Sequence, residues 1–307
     1  MKRQLCYPKE KVLGILFGTF VGDALGRPFE GTPPVEEEVL VSEIQHIFSS
    51  QRYTDDTQMT ISIFEEMIEN GTIDKESLKN RFLRRFDPSR GYGAGIFTLV
   101  KEWKAGTDVD TASHEQFRGY GSYGNGAAMR VAPISLFFSL QETTELFELV
   151  KLSAMVTHSH NLGIQGAELQ AFLVLLALNG IPESQWYRHI TELAFDDVYR
   201  RKVGIVNNCL KQDMPVPDAV DRIGNGIVAY EAVPAALYSF LRKPYSFREA
   251  LIQALALGGD TDTISAMTGA VAGAKFGIDG IPKEWLQVLE NDNEGKDFIF
   301  NMVDRVF

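Results

Sequence analysis

The sequence predicts an all-α fold in one compact domain, and three observations lead to that expectation. Apolar residues recur at helical spacing, as at Leu78, Phe82 and Phe86, while alternating strand patterns of useful length are missing. No linker or low-complexity tract divides the 307 residues, and no fixed-period repeat is present. We therefore expect a single domain over residues 1–307, long enough to bury a large core.

The predicted helices follow one another along the chain. The first gives way to a loop at Pro28, and the next contains Met59–Ile68 and stops at Asn70–Gly71, a pair typical of helix ends. Later, one helix ends near Val156 and another begins near Leu162. Each prediction depends on apolar spacing bounded by turn residues.

Three further helices are predicted in the last quarter of the chain. Apolar stripes run through Phe247–Leu255 and Phe298–Val306 with spacings of three and four residues. The segment Ile264–Phe276 is instead rich in Ala and Gly, so its surface is smooth enough for neighbouring helices to approach closely. We expect it to be a buried central helix.

Composition excludes several classes of partner. The formal net charge of −11 argues against nonspecific nucleic-acid binding and against an anionic membrane surface, because both need clustered Lys and Arg. Only Cys6 and Cys209 are present, which predicts unpaired thiols and a cytoplasmic location. The apolar stretch Val12–Leu25 contains Asp23, lacks a convincing cleavage site and is too short for a membrane span.

Two segments carry the strongest functional signal. Thr54–Thr57 reads Thr-Asp-Asp-Thr and Asp260–Thr263 reads Asp-Thr-Asp-Thr, so each places several oxygen ligands within one helical turn. Mg²⁺ and Mn²⁺ prefer carboxylate, hydroxyl and water oxygens. The recurrence predicts the two halves of a binuclear metal site.

Helix capping is the alternative interpretation of both segments. Asp55, Asp56 or Thr57 could cap the helix that follows, and acidic residues suit the positive end of a helix dipole. The same holds after Gly258–Gly259, a pair expected to loosen the backbone beside the second segment. Capping explains one segment well, but it does not explain why the pattern recurs.

Two glycine-rich segments, Gly91–Gly95 and Gly119–Gly126, each precede an apolar helical run. Their backbone amides could hold a phosphate, and nearby aromatic residues favour a ligand that also contains a ring. The second segment matches G-x-G-x-x-G, but no buried strand precedes it, so we reject a dinucleotide-binding fold. Flexible connections between helices remain the alternative.

Histidine and glutamate residues add further candidates. His158 and His160 could form a zinc pair, but no third His or Cys ligand is evident, so a ligand hydrogen bond or a helix cap is favoured. Glu30 lies in a proline-bearing loop suited to a mobile catalytic carboxylate. Asp23, near the end of the first helix, could instead serve folding by accepting hydrogen bonds from nearby amides.

The order of these motifs resembles the ADP-ribosylglycohydrolase family, which includes the dinitrogenase-reductase-activating glycohydrolases. The resemblance covers about Lys11 to Phe276. The order in which the motifs follow one another is more specific than any single motif. Further segments are most similar to the ADP-ribosylhydrolase 3 branch, which acts on O-linked ADP-ribose. The motifs that carry the family resemblance are Gly22-Asp23-Ala24-Leu25-Gly26 with Glu30, Tyr53-Thr54-Asp55-Asp56-Thr57, Gly121-Ser122-Tyr123-Gly124-Asn125-Gly126 and Gly258-Gly259-Asp260-Thr261-Asp262-Thr263.

The resemblance implies an orthogonal helical domain with a cleft for two Mg²⁺ or Mn²⁺ ions. It implies a monomer, with ADP-ribosylated protein or another ADP-ribose conjugate as substrate and ADP-ribose as product. Glu30 would be the mobile catalytic carboxylate. The implied metal ligands are Thr54, Asp55, Asp56, Asp260, Asp262 and Thr263. The implied substrate-binding residues are Gly93, Gly95, Gly121, Ser122 and Gly124 at the diphosphate, Phe117 and Tyr123 at the adenine, and His158.

The implied reaction is hydrolysis at the anomeric ribose carbon through an oxocarbenium-like transition state. A serine or poly(ADP-ribose)-like O-linkage is favoured, and an arginine N-linkage is the first alternative. Two others stay open: a noncatalytic ADP-ribose-binding protein, and a metal-dependent hydrolase acting on a phosphate ester or another N-glycoside. The sequence leaves the choice between Mg²⁺ and Mn²⁺ open, because both accept the same oxygen ligands.

Overall fold

Two helices in close contact form the centre of the fold. In the computed structural model, which describes residues 2–44 and 51–307, α1 (Lys9–Gly26) and α15 (Thr261–Phe276) make the largest helix–helix interface of the described chain. A Cβ atom added to Gly18 would lie 2.1 Å from the carbonyl oxygen of Gly269, and one added to Gly269 would lie 2.0 Å from that of Gly18. The backbones therefore touch, which confirms the predicted central helix.

The described residues form α-helices and short 3₁₀ segments, and they form no sheet. Two isolated β-bridges join Gln51 to Leu289 and Gly124 to Val228. These helices enclose one hydrophobic core, so the predicted all-α fold is confirmed. Between α1 and α15 lie α2 (Glu37–Ile44), α3 (Asp55–Asn70), α4 (Lys75–Arg85), α5 (Ala94–Lys104), α6 (Val109–Gly119), α7 (Gly126–Met129), α8 (Thr143–Met155), α9 (Asn161–Leu178), α10 (Glu183–Thr191), α11 (Asp197–Lys211), α12 (Val216–Ile223), α13 (Ala229–Arg242) and α14 (Phe247–Ala256), and α16 (Lys283–Gln287) and α17 (Lys296–Asp304) follow.

Helix α3 shows how the chain begins and ends its elements. It ends at Gly71 in the left-handed conformation (φ 67°), as the sequence predicts. At its start the capping residue is Thr54, whose side chain accepts a hydrogen bond from the Asp56 amide at 3.4 Å. Asp55 and Asp56 are thus not caps, so neither carboxylate is used to cap α3.

Two helices are long and apolar enough to cross a membrane by length and composition, which the sequence analysis did not expect. They are Lys9–Phe29 and Asn161–Leu178, whose most apolar windows are 89% and 78% buried inside the domain. A helix that packs on all sides is apolar around its whole circumference, so both have the composition of core helices.

Neither cysteine is in a disulfide. Cys6 is exposed and Cys209 is buried, and both are free thiols. The prediction of unpaired cysteines is confirmed for this chain.

We expect Gly269→Ala to destabilise the protein by about 3 kcal/mol or more, because the added methyl group would force α1 and α15 apart. The free energy of unfolding from urea denaturation measures this effect. Gly204→Ala in α11 is the matched control, because a Cβ atom there meets no atom of the described residues within 4 Å. The control should gain about 0.5–1 kcal/mol from helix propensity. Equal stability of the two variants would contradict close packing of α1 on α15.

Candidate active site

The two acidic segments meet at one cleft, and each forms the start of a helix. Asp55 and Asp56 occupy the first turn of α3, and Asp262 and Thr263 the first turn of α15. The Thr263 hydroxyl lies 3.4 Å from Asp56 Oδ2 and joins the two segments. The cleft has a volume of about 480 Å³. Its lining includes the predicted residues Glu30, Asp55, Asp56, Gly93, Gly95, Phe117, Ser122, Tyr123, Gly124, His158, Asp260, Asp262 and Thr263.

Carboxylate oxygens converge inside this cleft. Glu30, Asp260 and Asp262 each offer an oxygen within 4.8 Å of the others. Asp56 is buried, and its Oδ1 has no hydrogen-bond partner in the described chain. A buried carboxylate oxygen without a donor is costly unless a cation binds it. The donor set, carboxylates with threonine hydroxyls, therefore fits a hard divalent cation.

The raised pKa values of the carboxylates in the cleft also favour a bound cation. Burial and then the charge of Asp260 raise the pKa of Asp262 to about 9. Burial and then the charge of Asp23 raise the pKa of Asp55 to about 8, and the same two causes raise that of Asp56. Mutual repulsion among buried carboxylates disfavours their charged forms. A bound cation would relieve that repulsion.

Asp23 supports the first acidic segment from α1. Its fully buried carboxylate accepts hydrogen bonds from the Thr54 amide (2.9 Å), the Thr57 amide (3.0 Å) and both threonine hydroxyls (2.8 and 2.6 Å). Burial raises its pKa to about 6, although these hydrogen bonds oppose the rise. The expectation from sequence that the Asp23 carboxylate accepts hydrogen bonds from nearby amides is confirmed. Asp23 thereby fixes the first turn of α3 and orients the Thr54 hydroxyl.

Two asparagines hold the second segment. Asn125 Nδ2 donates to Asp260 Oδ2, and the Asn225 carbonyl accepts from the Asp260 amide at 2.8 Å. Neither asparagine has a role predicted from the sequence. Asn125 stood within the glycine-rich motif, so its position was a usable signal, whereas nothing in the sequence connects Asn225 to Asp260.

The Gly258–Gly259 pair does not loosen the backbone, contrary to the expectation from sequence. Both residues are left-handed (φ 65° and 71°), and a Cβ atom on Gly258 would lie 2.5 Å from the Thr32 carbonyl oxygen. Gly259 forms two backbone hydrogen bonds with the loop that carries Glu30. Its carbonyl accepts from the Gly31 amide at 2.7 Å, and its amide donates to the Thr32 carbonyl at 2.9 Å. The glycines thus permit a tight contact that places Glu30 beside the acidic cluster.

The glycine-rich segments border the other side of the cleft. Gly93 precedes α5, and no protein atom lies within 4 Å of a Cβ atom added there. First-turn amides lack helical partners, so this helix start suits an anionic group. Gly121 has a different environment: its φ is 70°, and an added Cβ atom would lie 2.2 Å from Ser159 Oγ. Neither Gly121 nor Thr54 lines the cleft directly.

Aromatic side chains stand at the mouth of the cleft. Phe117 is 59% exposed and Tyr123 43% exposed, although both line the cavity. Phe117 adopts left-handed angles (φ 50°), an uncommon conformation for a non-glycine residue and typical of functional sites. Tyr123 stacks on Tyr230 and meets the His160 ring edge-on. Exposed rings at a cleft suit a planar ligand group.

The two histidines have different roles. His160 caps α9, with Nδ1 accepting from the Leu162 amide at 3.1 Å. His158 is buried against the cleft, and burial followed by the charge of Arg130 lowers its pKa to about 3. Of the described residues, the clustered carboxylates and not these histidines form a candidate metal group. His160 is therefore a helix cap, one of the two roles expected from the sequence.

Comparisons with known proteins agree along nearly the whole chain. The family model described as ADP-ribosylglycohydrolase matches residues 7–307. The mouse ADP-ribosylhydrolase ARH3 is 36% identical over 96% of this chain and 91% of its own length, and the human ADP-ribosylhydrolase ARH3 is 35% identical over 96% and 93%. A solved structure entitled ADP-ribosylglycohydrolase-related protein complex superposes with a TM-score of 0.74 and 26% identity, covering 97% of this chain and 96% of that one.

Proposed function

The chain belongs to the ADP-ribosylglycohydrolase family, and we propose that it is a metal-dependent hydrolase that releases ADP-ribose from an O-linked conjugate. One observation carries the proposal. The first turns of α3 and α15 bring acidic segments from distant parts of the chain into one cleft, where a buried Asp56 oxygen has no donor.

Two Mg²⁺ or Mn²⁺ ions are proposed for the acidic cluster, held by Thr54, Asp55, Asp56, Asp260, Asp262 and Thr263. When bound, such ions orient the substrate, acidify water and stabilise developing charge. The metal number and identity are part of the proposal. The converging oxygens and the raised pKa values of Asp55 and Asp262 support it.

The chain's own groups have distinct proposed tasks. Glu30 donates a proton to the leaving-group oxygen or accepts one from water. Partial burial, followed by the charge of Asp260, raises the pKa of Glu30 above its ordinary value. The α5 start at Gly93 and Gly95, with Ser122 and Gly124, binds the diphosphate. Phe117 and Tyr123 hold the adenine between exposed rings.

The preference for an O-linkage comes from the similarity to the relatives named ADP-ribosylhydrolase ARH3. An arginine N-linkage uses the same cleft and differs only in the leaving group. A noncatalytic ADP-ribose-binding protein is the third possibility, and the position of Glu30 beside Asp260 and Asp262 argues against it.

The deciding experiment measures free ADP-ribose released from matched serine-linked and arginine-linked ADP-ribosyl peptides, with Mg²⁺ and after chelation. We expect metal-dependent release from the serine-linked peptide. Release from the arginine-linked peptide alone would move the assignment to an N-glycosidic bond. Binding of ADP-ribose without release from either peptide would favour a noncatalytic protein. Release of AMP or phosphate would indicate attack at phosphorus.

A further inference from the structure

A fully buried arginine lies on the cleft without an acidic partner. The Arg130 side chain is 0% exposed and lines the cavity. It donates to the carbonyls of Gly126 (3.1 Å) and Ser153 (2.9 Å) and to the Thr157 hydroxyl (2.9 Å). No described carboxylate lies within salt-bridge distance of it, although the charge of Asp55 acts on it from farther away. An unpaired buried charge is costly. Its position therefore calls for an explanation beyond packing.

The hydrogen bonds starting at Arg130 fix the direction of the next one. A guanidinium only donates, so the Thr157 oxygen accepts from Arg130. The same oxygen lies 2.6 Å from His158 Nδ1, and no other described group accepts the Thr157 hydroxyl proton. That proton therefore points to His158 Nδ1. Nδ1 is then an acceptor, and the single ring proton of neutral His158 is on Nε2.

His158 Nε2 faces a space that no protein group fills. Within the described ranges, 2–44 and 51–307, Nε2 has no hydrogen-bond partner, although His158 lines the cleft. A Cβ atom on Gly124 would lie 3.4 Å from Nε2, and one on Gly126 would lie 2.9 Å from Cε1. Glycine at both positions keeps the ring edge open. A ligand oxygen can reach it there.

We propose that Arg130 and Thr157 are positioning residues that hold His158 as the Nε2–H tautomer, which donates a hydrogen bond to a diphosphate oxygen of ADP-ribose. The ligand half of this proposal depends on the proposed function, since Gly124 is assigned to the diphosphate. The tautomer half depends only on the hydrogen bonds. Burial and the Arg130 charge, which lower the pKa of His158, act in the same direction by keeping the ring neutral.

A purely structural role would leave the tautomer and the affinity for ADP-ribose unchanged. Arg130 also joins α7 to α8 and lies over the Phe82 ring at 4.8 Å, so Arg130 variants risk general destabilisation. Thr157 gives a cleaner test. Thr157→Val keeps the shape and removes the hydroxyl, whereas Thr157→Ser keeps the hydroxyl.

The experiment combines ¹⁵N NMR of the histidine ring with calorimetric titration of ADP-ribose into the intact protein loaded with Mg²⁺. We expect Nε2–H at His158 in the wild type and in Thr157→Ser, and a mixture of tautomers in Thr157→Val. Affinity should fall about tenfold in Thr157→Val and stay within about threefold in Thr157→Ser, the scale of one hydrogen bond. Thr19→Val, which removes a buried hydroxyl bonded within α1, is the control and should bind normally.

Each outcome is decisive. An Nδ1–H ring in a wild-type protein that binds ADP-ribose would overturn the positioning proposal alone. Unchanged affinity in Thr157→Val, with the tautomer altered, would overturn the donor role of Nε2. Failure of the wild type to bind ADP-ribose would overturn the ligand half together with the proposed function, while the ring spectrum would still decide the tautomer.

Discussion

Replacing Asp262 with asparagine should lower turnover at least about a hundredfold and abolish stabilisation by Mg²⁺ in the same variant. Loss of an outer-shell partner typically costs 10- to 100-fold, so loss of a direct ligand should reach or exceed that range. Asp262 lies within the Glu30–Asp260–Asp262 group and is buried. Asparagine is nearly isosteric, so the effect will report charge and not shape.

Two measurements test the Asp262 prediction. Thermal or urea denaturation with and without Mg²⁺ gives the metal response, which for the wild type should be about 2.7 kcal/mol at a hundred times the dissociation constant. Release of ADP-ribose gives turnover. Asp279→Asn, on an exposed carboxylate, is the control and should behave as wild type in both assays. Near-normal turnover in Asp262→Asn would remove it from the ligand set.

The same variant should behave in the opposite way when metal is absent. The pKa values of Asp55 (about 8) and Asp262 (about 9) exceed their ordinary value, so the folded state binds more protons than the unfolded state across that range. Stability of the metal-free wild type should therefore fall as the pH rises from about 4 towards 9. Asp262→Asn removes a carboxyl that, with a pKa of about 9 in the folded state, must take up a proton on folding at pH 8, so the variant should be more stable than the wild type at that pH, on the order of 2 kcal/mol. A flat pH profile for the metal-free wild type would contradict the repulsion.

Local patterns predicted the elements, because spacing and end signals lie within a few residues of one another. The Gly71 stop of α3 and the Ala- and Gly-rich helix α15 follow from such patterns. The residue that caps the start of α3 was harder to predict from the sequence. All four residues after Tyr53, from Thr54 to Thr57, can cap a helix. The contacts of Asp23 from α1 hold Thr54 in the capping position.

The same distinction between local patterns and long-range contacts applies to the candidate site. The proposed metal ligands, such as Asp56 and Asp262, could be selected from the sequence because they lie in recurring motifs. The residues that position them were not, because their contacts join distant segments: Asn125 meets Asp260 across 135 positions, and Arg130 meets Thr157 across 27. Gly258 shows a third limit. Its residue type signalled unusual backbone, but whether that backbone was loose or tightly held depended on Thr32 opposite it.

Replacing Glu30 with glutamine should separate catalysis from binding, unlike Asp262→Asn. General acid–base groups typically contribute 10²- to 10⁴-fold, so turnover should fall by about that factor. Glu30 is exposed on a loop, whereas the aromatic and glycine-rich walls of the cleft do not depend on it. Affinity for ADP-ribose and stabilisation by Mg²⁺ should therefore stay within about threefold and 1 kcal/mol of the wild type.

The controls for Glu30 follow from its geometry. Glu36→Gln, an exposed glutamate a few residues later, should leave all three measurements unchanged. Glu30→Asp keeps the carboxylate but shortens it, so partial turnover is expected if proton transfer over a fixed distance is the function. Because hydrogen bonds between Gly31, Thr32 and Gly259 hold the loop, neither substitution should move the backbone. If Glu30→Gln lost Mg²⁺ stabilisation together with turnover, Glu30 would be a ligand, and the proton transfer would have to be assigned to another group.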